Sequence, residues 1–458
     1  MNDRPLIEAL KAHRREFHEE WHTPGHGEHP PFVDDWLGWR SDLTEIGELA
    51  PKTDRKDPLH RSQARMAETF GVTRSWYSVQ GASLPVMAGI LAATTSIGKK
   101  RIVVERTAHR SVLAAMVIGG LDPIWVYPKK QYRGTLADDL IPILGSSSDV
   151  GAVVITRPTY EGIAEAITPI IAIAHHLRIP VIVDEAHGTH WYGRQGYPAS
   201  AITLGADLIA HGTHKTEPTL TQTGLLHLQG DLIPQEAVEL WWRLLGTSSP
   251  SYLLLASLDA YQALRHDGLW TTRWRDLSDA VRALWNEFSH LDLLQPRLEG
   301  EDGVAVDPAK LTVVGSARDI APKILQWGWP EKVDPDGVTL ILSPERSLGM
   351  VKSMLSTLPE RERVVWQGRS LPKPLRRLNP REAILRSSEP VDLLEALGRV
   401  AREPLVPYPP GIPIIQPGEV ISREVLEWLA LWENLNPGSV DGIYRDPESQ
   451  GGSVWVVT

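Results

Sequence analysis

The stretch AVVITRPTYEGIAEAITPIIAIAHHLRIPVIVD, residues 152–184, is the part of the sequence that decides the fold. Its apolar and β-branched runs at 152–156 and 180–184 predict two short buried strands. Between them, the mostly apolar residues 169–177 predict a helix. A strand, a helix and a second strand in so short a stretch predict two parallel strands joined by a crossover helix.

The same alternation continues outward along the chain. Further strands are predicted at 76–80, 101–105 and 124–127, and helices at 61–70, 85–95 and 111–119. We therefore expect an α/β fold with a mostly parallel sheet. Beyond a helical run at 253–264 the alternation loosens, and residues 311–342 predict a strand, a helix and a strand of a smaller α/β domain.

These patterns divide the chain into three parts. The first sixty residues mix charged residues with Pro, Gly and His, which is typical of an extended arm with turns. We place this N-terminal arm at residues 1–60, a large domain at 61–285 and a small C-terminal α/β domain at 286–458. A last helix is expected at 422–435, after a proline-rich segment.

Composition excludes several classes of protein. The chain has 458 residues and no cysteine, which excludes a disulfide scaffold, an iron–sulfur centre, a thiolate zinc site and a cysteine nucleophile. Its net charge of −10 offers no basic field for a nucleic acid. No apolar run approaches the roughly 20 residues of a membrane-spanning helix. We therefore expect a cytoplasmic protein that binds neither nucleic acid nor membrane.

Three groups of reactive residues follow predicted strands, which is where parallel α/β sheets bind ligands. Asp184 ends a buried strand, where it could equally be a cap or part of a salt bridge. Lys215 follows a second apolar run; it is either a solvated surface residue or a desolvated amine suited to Schiff-base chemistry. Gly81, Ala82 and Ser83 stand at a helix start, where free N–H groups bind phosphate, although many helices simply begin this way.

Taken together, the three groups meet the needs of one cofactor. Pyridoxal phosphate needs an amine to bind its aldehyde, a carboxylate to keep its pyridine nitrogen protonated, and an anion site for its phosphate. Lys215, Asp184 and the segment 81–83 supply these groups. The expected cofactor is therefore pyridoxal 5'-phosphate.

The chain also resembles the bacterial ornithine/lysine/arginine decarboxylase family of fold-type-I pyridoxal-phosphate enzymes. The motifs that carry the resemblance run in family order from about residue 20 to about residue 420. They are HTPGH (22–26), DLTE (42–45), LH (59–60), RTAHRSV (106–112), PTYEG (158–162), DEAHGTH (184–190), GADL (205–208), THKT (213–216), LTQ (220–222), SPSYL (249–253) and PPGIP (409–413). The resemblance implies an aspartate aminotransferase-type large domain and a smaller C-terminal domain.

The resemblance also implies roles for four catalytic residues. Lys215 would hold the cofactor covalently, and Asp184 would pair with its pyridine nitrogen. His187 would lie beside Asp184, and His109 would stack on the ring. The residues implied to bind the cofactor are Gly81, Ala82, Ser83, His109, Asp184, His187, Thr213, His214, Lys215 and Ser249. Ser249 would reach the cofactor of a neighbouring subunit, which implies a homodimer or higher homo-oligomer with shared active sites.

Four positions depart from the family pattern. Ala82 and Gly212 stand where family members carry a hydroxyl near the phosphate. Gly27 replaces a lysine, and Glu217 replaces an aliphatic residue. A lost hydrogen bond to a charged group removes about 1.5–3 kcal/mol, which would loosen the cofactor without abolishing its binding. These departures leave the substrate and the reaction open.

The expected activity is decarboxylation of arginine, lysine or ornithine to a polyamine-type amine and CO2. The alternatives are another pyridoxal-phosphate reaction, elimination or transamination, and a catalytically impaired paralogue. The segment DEAH at 184–187 also matches a helicase-type box, but the chain lacks the phosphate loop that such enzymes require. The histidine pairs at 187/190 and 211/214 could suggest a metal site; we expect caps and hydrogen bonds instead, and no metal.

Overall fold

The computed structural model describes residues 20–21, 58–128, 137–266, 268–298, 303–360, 370–445 and 452–458. The predicted arm at 1–60 falls outside these ranges except for the strand Glu20–Trp21 and the start of the helix Pro58–Phe70. The motifs at 22–26 and 42–45, and the departure at Gly27, therefore lie outside the described residues. Within the described ranges, no helix combines the length and the apolar character needed to cross a bilayer.

A seven-stranded sheet forms the centre of the protein. In chain order its strands are β1 (Arg74–Ser78), β2 (Arg101–Glu105), β3 (Asp122–Val126), β4 (Val150–Thr156), β5 (Val181–Asp184), β6 (Leu208–His211) and β7 (Gly224–Leu228). Across the sheet their order is β1-β7-β6-β5-β4-β2-β3. Neighbouring strands run parallel, except that β7 is antiparallel to both β1 and β6. The mostly parallel sheet that the sequence predicts is confirmed.

Helices cover both faces of the central strands, so those strands are apolar along their length. In β5, Val181, Ile182 and Val183 are fully buried. The helices up to residue 287 are Pro58–Phe70, Ser83–Ile97, Arg110–Gly119, Ala137–Ser146, Thr168–His176, Ala201–Leu204, Thr213–Thr216, Gln235–Leu245, Tyr252–His266 and Leu269–Glu287. The predicted strand at 101–105 coincides with β2, and the other predicted elements overlap observed ones with ends shifted by a few residues.

Strand β7 is an element that the sequence does not predict. Its residues, Gly-Leu-Leu-His-Leu, are few and include a histidine, so they carry no clear strand pattern. In the structure His227 is fully buried, and its two ring nitrogens bond to His211 Nδ1 at 3.1 Å and to Ser75 Oγ at 2.8 Å. These partners compensate the burial of a polar ring, which is why the histidine is tolerated there.

Residues beyond 287 form two groups. Strands Lys310–Val314, Gly337–Ile341 and Lys332–Asp334 make an antiparallel sheet whose apolar residues join the core beneath the central sheet. Residues 371–456 enclose a separate core. The remaining helices are Ala317–Ile324, Leu348–Leu355, Pro380–Leu385 and Arg423–Leu435. The remaining strands are Ile163–Glu165, Val304–Val306, Trp329–Pro330, Ser388–Asp392, Val406–Pro407, Val440–Asp441, Tyr444–Arg445 and Gly452–Val457. The boundary predicted at residue 285 stays a prediction.

Candidate active site

A cavity of about 390 Å³ lies at the carboxyl ends of the central parallel strands. The register aligns Thr156, Asp184 and Ala210 in one row at this edge of β4, β5 and β6. The cavity is lined by Gly81, Ala82, Ser83, Thr107, His109, Arg110, Ser111, Thr156, Pro158, Thr159, Tyr160, Glu161, Asp184, Ala186, His187, His214, Lys215, Lys332, Tyr408, Pro410 and Ile412. Eight of the ten predicted cofactor-binding residues are among them.

Lys215 and His187 are in direct contact in this cavity. Lys215 belongs to the short helix Thr213–Thr216 that follows β6, and His187 follows β5. Lys215 Nζ lies 2.9 Å from His187 Nε2. Burial lowers the pKa of Lys215 below its usual value, although Asp184 and Glu331 raise it in part. A lysine amine of lowered pKa is a better nucleophile near neutral pH.

Asp184 ends β5 with its carboxylate beside this lysine. The side chain is 5% exposed and accepts a hydrogen bond from the Ala186 N–H at 3.2 Å. Burial raises the pKa of Asp184, and the neighbouring Lys215 charge and the Ala186 N–H lower it in part. Such a carboxylate gains most from a cationic partner, because a buried anion without one is costly.

His109 occupies another wall of the cavity. It is the N-cap of the helix Arg110–Gly119, and its Nδ1 accepts a hydrogen bond from the Ser111 N–H at 3.2 Å. Burial, together with the charges of Lys215 and Arg110, lowers the pKa of His109 to about 3. The ring is therefore uncharged at neutral pH and can pack against an aromatic ligand.

The remaining end of the cavity is built for an anion. Helix Ser83–Ile97 begins at Ala82 without a side-chain cap, so N–H groups of its first turn have no partner within the helix. Gly81 adopts a φ of +62°. An added Cβ at Gly224 would lie 2.5 Å from the carbonyl oxygen of Gly81, so the two backbones approach closely here. His214 closes this end, with Nδ1 donating to the Thr223 carbonyl at 2.7 Å. Free N–H groups and the helix dipole attract phosphate.

The functional groups that line the cavity fit pyridoxal phosphate. The cavity brings together an amine at Lys215, a buried carboxylate at Asp184 and an uncapped helix start at Ala82. The aldehyde, the pyridine nitrogen and the phosphate of the cofactor require these three kinds of group. The neutral ring of His109 adds a surface for stacking.

Two predicted site residues lie elsewhere. Thr213 is fully buried, and its hydroxyl donates to Thr223 Oγ1 at 2.8 Å instead of facing the cavity. Ser249 does not line the cavity of its own chain; it is exposed and contacts Thr247. Its predicted contact with a neighbouring subunit stays a prediction.

The structure explains two of the departures from the family pattern. At Gly212 an added Cβ would lie 3.0 Å from the Ala186 carbonyl oxygen, so a serine would fit only if this contact opened by a few tenths of an ångström. Glu217 is fully buried away from the cavity, where it binds Arg194, Trp270 and Trp274. Its acid group therefore has a structural role and does not change the chemistry of the site.

Sequence reasoning missed four polar residues around the site. Lys310 Nζ lies 2.8 Å from His187 Nδ1. Tyr160, whose ring centroid lies 4.5 Å from that of His187, donates its hydroxyl to Glu331. Glu161 is paired with Lys332. Tyr160 and Glu161 belong to the PTYEG motif and could have been singled out there; the two lysines carry no local signal.

Comparison with known proteins matches the chain to one family of decarboxylases. The Orn/Lys/Arg decarboxylase major-domain model matches residues 4–296, and the corresponding C-terminal domain model matches residues 373–458. An arginine decarboxylase of Bacillus subtilis (strain 168) is 30% identical, over 95% of this chain and 94% of its own length. The lysine decarboxylase LdcA of Pseudomonas aeruginosa is 24% identical, over 95% of this chain and 77% of its own.

Solved structures extend the comparison to the fold. The constitutive lysine decarboxylase of Escherichia coli superposes with a TM-score of 0.73 at 18% identity, covering 99% of this chain and 82% of that one. A serine palmitoyltransferase solved with PLP superposes with a TM-score of 0.53 at 15% identity, covering 70% of this chain and 80% of that one. The fold is that of the fold-type-I pyridoxal-phosphate enzymes, as the sequence predicts.

Proposed function

Because this chain belongs to the Orn/Lys/Arg decarboxylase family, we propose that it is a pyridoxal-phosphate-dependent carboxy-lyase acting on a basic amino acid. One observation carries the proposal: Lys215, Asp184 and the uncapped helix start at Ala82 line a single cavity. Arginine, lysine and ornithine are the candidate substrates. Arginine is the first to test, because the relative that is 30% identical is named an arginine decarboxylase.

Individual residues of this chain would bind the cofactor and transfer the proton. Lys215 would hold the cofactor, the carboxylate of Asp184 would accept the pyridinium N–H, and the helix start at Ala82 would bind the phosphate. When bound, pyridoxal phosphate supplies an electron-withdrawing ring that accepts the electron pair released as the substrate carboxylate leaves as CO2. Lys215 and His187, 2.9 Å apart, can pass the proton that replaces the carboxylate on the α-carbon.

One wall of the cavity suits a basic side chain. Glu161 lines the cavity and is only 2% exposed. Lys332 contacts both Glu161 and Asp334, so two carboxylates share one ammonium. We infer that a guanidinium or an ammonium group of a substrate would approach the cavity at Glu161, whose cation is shared with Asp334.

We also propose that the active unit is a homodimer or a larger homo-oligomer in the cytoplasm. Ser249 is exposed on its own chain, as expected of a residue that serves a neighbouring active site. Sedimentation of the purified protein with the cofactor tests the assembly, and a monomer at micromolar concentration would contradict it.

The experiment for the proposed function combines absorbance with CO2 release. Purified protein with pyridoxal phosphate is expected to show a visible absorbance band that Lys215→Ala loses. The other lysine of the cavity, Lys332, would not take its place, because Glu161 and Asp334 hold it as an ammonium group. Lys352→Ala, which removes an exposed lysine paired with Glu287, is the control and keeps the band.

Product analysis separates the rival reactions. Release of CO2 with one amine product from arginine, lysine or ornithine supports decarboxylation. A requirement for a keto acid indicates transamination, release of ammonia without CO2 indicates elimination, and cofactor binding without turnover indicates an impaired paralogue.

A further inference from the structure

The ring of His109 is held along both of its edges. On one edge, Nδ1 accepts a hydrogen bond from the Ser111 N–H at 3.2 Å. On the other edge the ring meets Gly411, where an added Cβ would lie 3.1 Å from His109 Cδ2 and 3.2 Å from His109 Nε2. Gly411 is buried but does not line the cavity, so it can act on a ligand there only through His109.

The backbone at Gly411 requires a glycine for two reasons. Its φ of +81° is one that residues with a side chain rarely adopt. A side chain at this position would also press on the edge of the His109 ring. The absence of a Cβ therefore allows the main chain to pass in close contact with the histidine.

Hydrogen bonds on both sides of Gly411 fix the segment that carries it. The Gly411 N–H donates to the Pro407 carbonyl at 2.9 Å, and the Gly411 carbonyl accepts from the Arg110 N–H at 3.2 Å. Two residues further along the chain, the Pro413 carbonyl accepts a hydrogen bond from the buried Arg106 side chain at 2.6 Å. The segment is therefore a fixed surface against which the ring rests.

The C-terminal region, residues 371–456, also contacts the far end of the helix Arg110–Gly119. In the last turn of this helix, the Ile118 carbonyl accepts a hydrogen bond from Arg381 at 2.7 Å. At the first turn, the Gly411 carbonyl binds the first N–H of the helix. One region therefore holds both ends of the helix and also touches the ring of its N-cap residue.

We propose that Gly411 is a positioning residue that holds the His109 ring, before a cofactor binds, in the place where the ring packs against pyridoxal phosphate. The proposal rests on the proposed function in one respect, the identity of the ligand. A ring that is already held loses no further rotational freedom when the ligand binds, so less of the contact energy is offset by ordering. The C-terminal region thereby contributes to cofactor affinity through a residue that it does not itself contain.

The first experiment titrates the full-length, cofactor-free chain with pyridoxal phosphate and follows absorbance. Gly411→Ala is compared with Gly398→Ala, the matched control, because Gly398 also has a φ of +81° and an added Cβ there meets nothing within 4 Å. Both variants carry the same backbone strain, but only Gly411→Ala displaces the ring. We expect its affinity for the cofactor to be about three- to tenfold weaker than that of the control, which corresponds to one aromatic contact.

The same two variants are then made in the background His109→Ser, in which a hydroxyl can still cap the helix but the ring is gone. Gly411→Ala and Gly398→Ala are expected to bind pyridoxal phosphate equally well in this background, because the added methyl has no ring to displace. A loss of affinity that is the same in both backgrounds would show that Gly411 acts on the fold and not on His109, and would overturn the proposal.

The second experiment needs no variant at Gly411, so it decides the matter even where Gly411→Ala does not fold. Cofactor-free wild-type protein is deuterated except at histidine and glycine. Nuclear Overhauser contacts from the His109 ring are assigned by their loss in His109→Ser. A contact between the ring Cδ2–H and the Gly411 methylene group is expected, because the ring is held there without a ligand.

Two further results would overturn the proposal: no contact between the His109 ring and Gly411 in the cofactor-free wild type, or equal affinities of Gly411→Ala and Gly398→Ala with His109 present. Failure of the proposed function looks different. The ring contact and the difference in affinity would then be observed, but no basic amino acid would release CO2.

Discussion

His109 performs two tasks that both require a neutral ring. Its Nδ1 accepts the capping hydrogen bond of a helix, and its ring forms a wall of the cavity. Burial, together with the charges of Lys215 and Arg110, holds the pKa of His109 at about 3 in the folded state. Protonation would in addition remove the lone pair used by the cap.

This pKa predicts a dependence of stability on pH. Between about pH 6.5 and pH 3 the unfolded chain binds a proton at His109 that the folded chain does not, so the free energy of unfolding falls as pH falls. From pH 7 to pH 5 this one site contributes a loss of up to about 2 kcal/mol. His109→Asn keeps a capping side chain that does not titrate. Its free energy of unfolding, measured by urea denaturation, should therefore fall by up to about 2 kcal/mol less than that of the wild type between pH 7 and pH 5. Equal losses in the two proteins would contradict the assignment.

Glu217 is a second residue whose role follows from its contacts. It is fully buried and neutralises Arg194 and Arg265, and these charges hold its pKa below the usual value. Glu217→Gln leaves two buried guanidinium groups without a counter-charge and is expected to cost about 3–5 kcal/mol of unfolding free energy. Glu287→Gln, in an exposed pair, is the control and should cost less than about 1 kcal/mol. If both variants lost less than about 1 kcal/mol of unfolding free energy, Glu217 would not be strongly coupled to Arg194 and Arg265.

Sequence reasoning can place reactive residues in one cavity where each of them follows a strand. Asp184, Lys215 and the segment 81–83 could be found this way, because the ends of parallel strands meet at one edge. Lys310 could not, since it contacts His187 from 123 positions away along the chain. The residues next to Lys310 in the sequence give no indication of this contact.

At the scale of elements, the start of β7 determines the shape of the phosphate end. An added Cβ at Gly224 would lie 2.5 Å from the Gly81 oxygen and 2.8 Å from the His211 oxygen. Both atoms belong to backbone, so neither can move aside cheaply. Strand β7, which the sequence does not predict, thus supports the loop at 81–83, which the sequence predicts to bind phosphate.

Gly224→Ala is therefore expected to displace the loop at 81–83. We expect a loss of about 1–3 kcal/mol in stability and at least about a tenfold weaker affinity for pyridoxal phosphate, measured by titration of absorbance. Gly145→Ala is the matched control, because Gly145 is helical and an added Cβ there meets nothing within 4 Å. A Gly224→Ala protein that binds as tightly as Gly145→Ala would refute the close approach.

At the scale of the molecule, one buried ion pair joins the C-terminal region to the central sheet. Arg106 donates to Glu419 at 3.0 Å and to the carbonyl oxygens of Pro413 at 2.6 Å and Ile414 at 3.0 Å. Both charged side chains are almost fully buried. The same segment carries Tyr408, Pro410 and Ile412 over the cavity.

Arg106→Ala is expected to destabilise the protein by about 3–5 kcal/mol, because it leaves Glu419 buried without a counter-charge. Limited proteolysis should then cut within 404–417 earlier than in the wild type. Arg399→Ala, which breaks an exposed pair with Glu389, is the control and should cost less than about 1 kcal/mol. Unchanged proteolysis of Arg106→Ala would show that the segment is held by other contacts.

The sequence alone determined the α/β class and the parallel strands and predicted the type of cofactor, because apolar periodicity and the residues at strand ends are local properties of the chain. Only the tertiary structure decided that β7 runs antiparallel, that Thr213 faces away from the cavity, and that Lys310 bonds to His187. These features depend on contacts between residues far apart in sequence, whose energies are set by burial and hydrogen-bond geometry after folding.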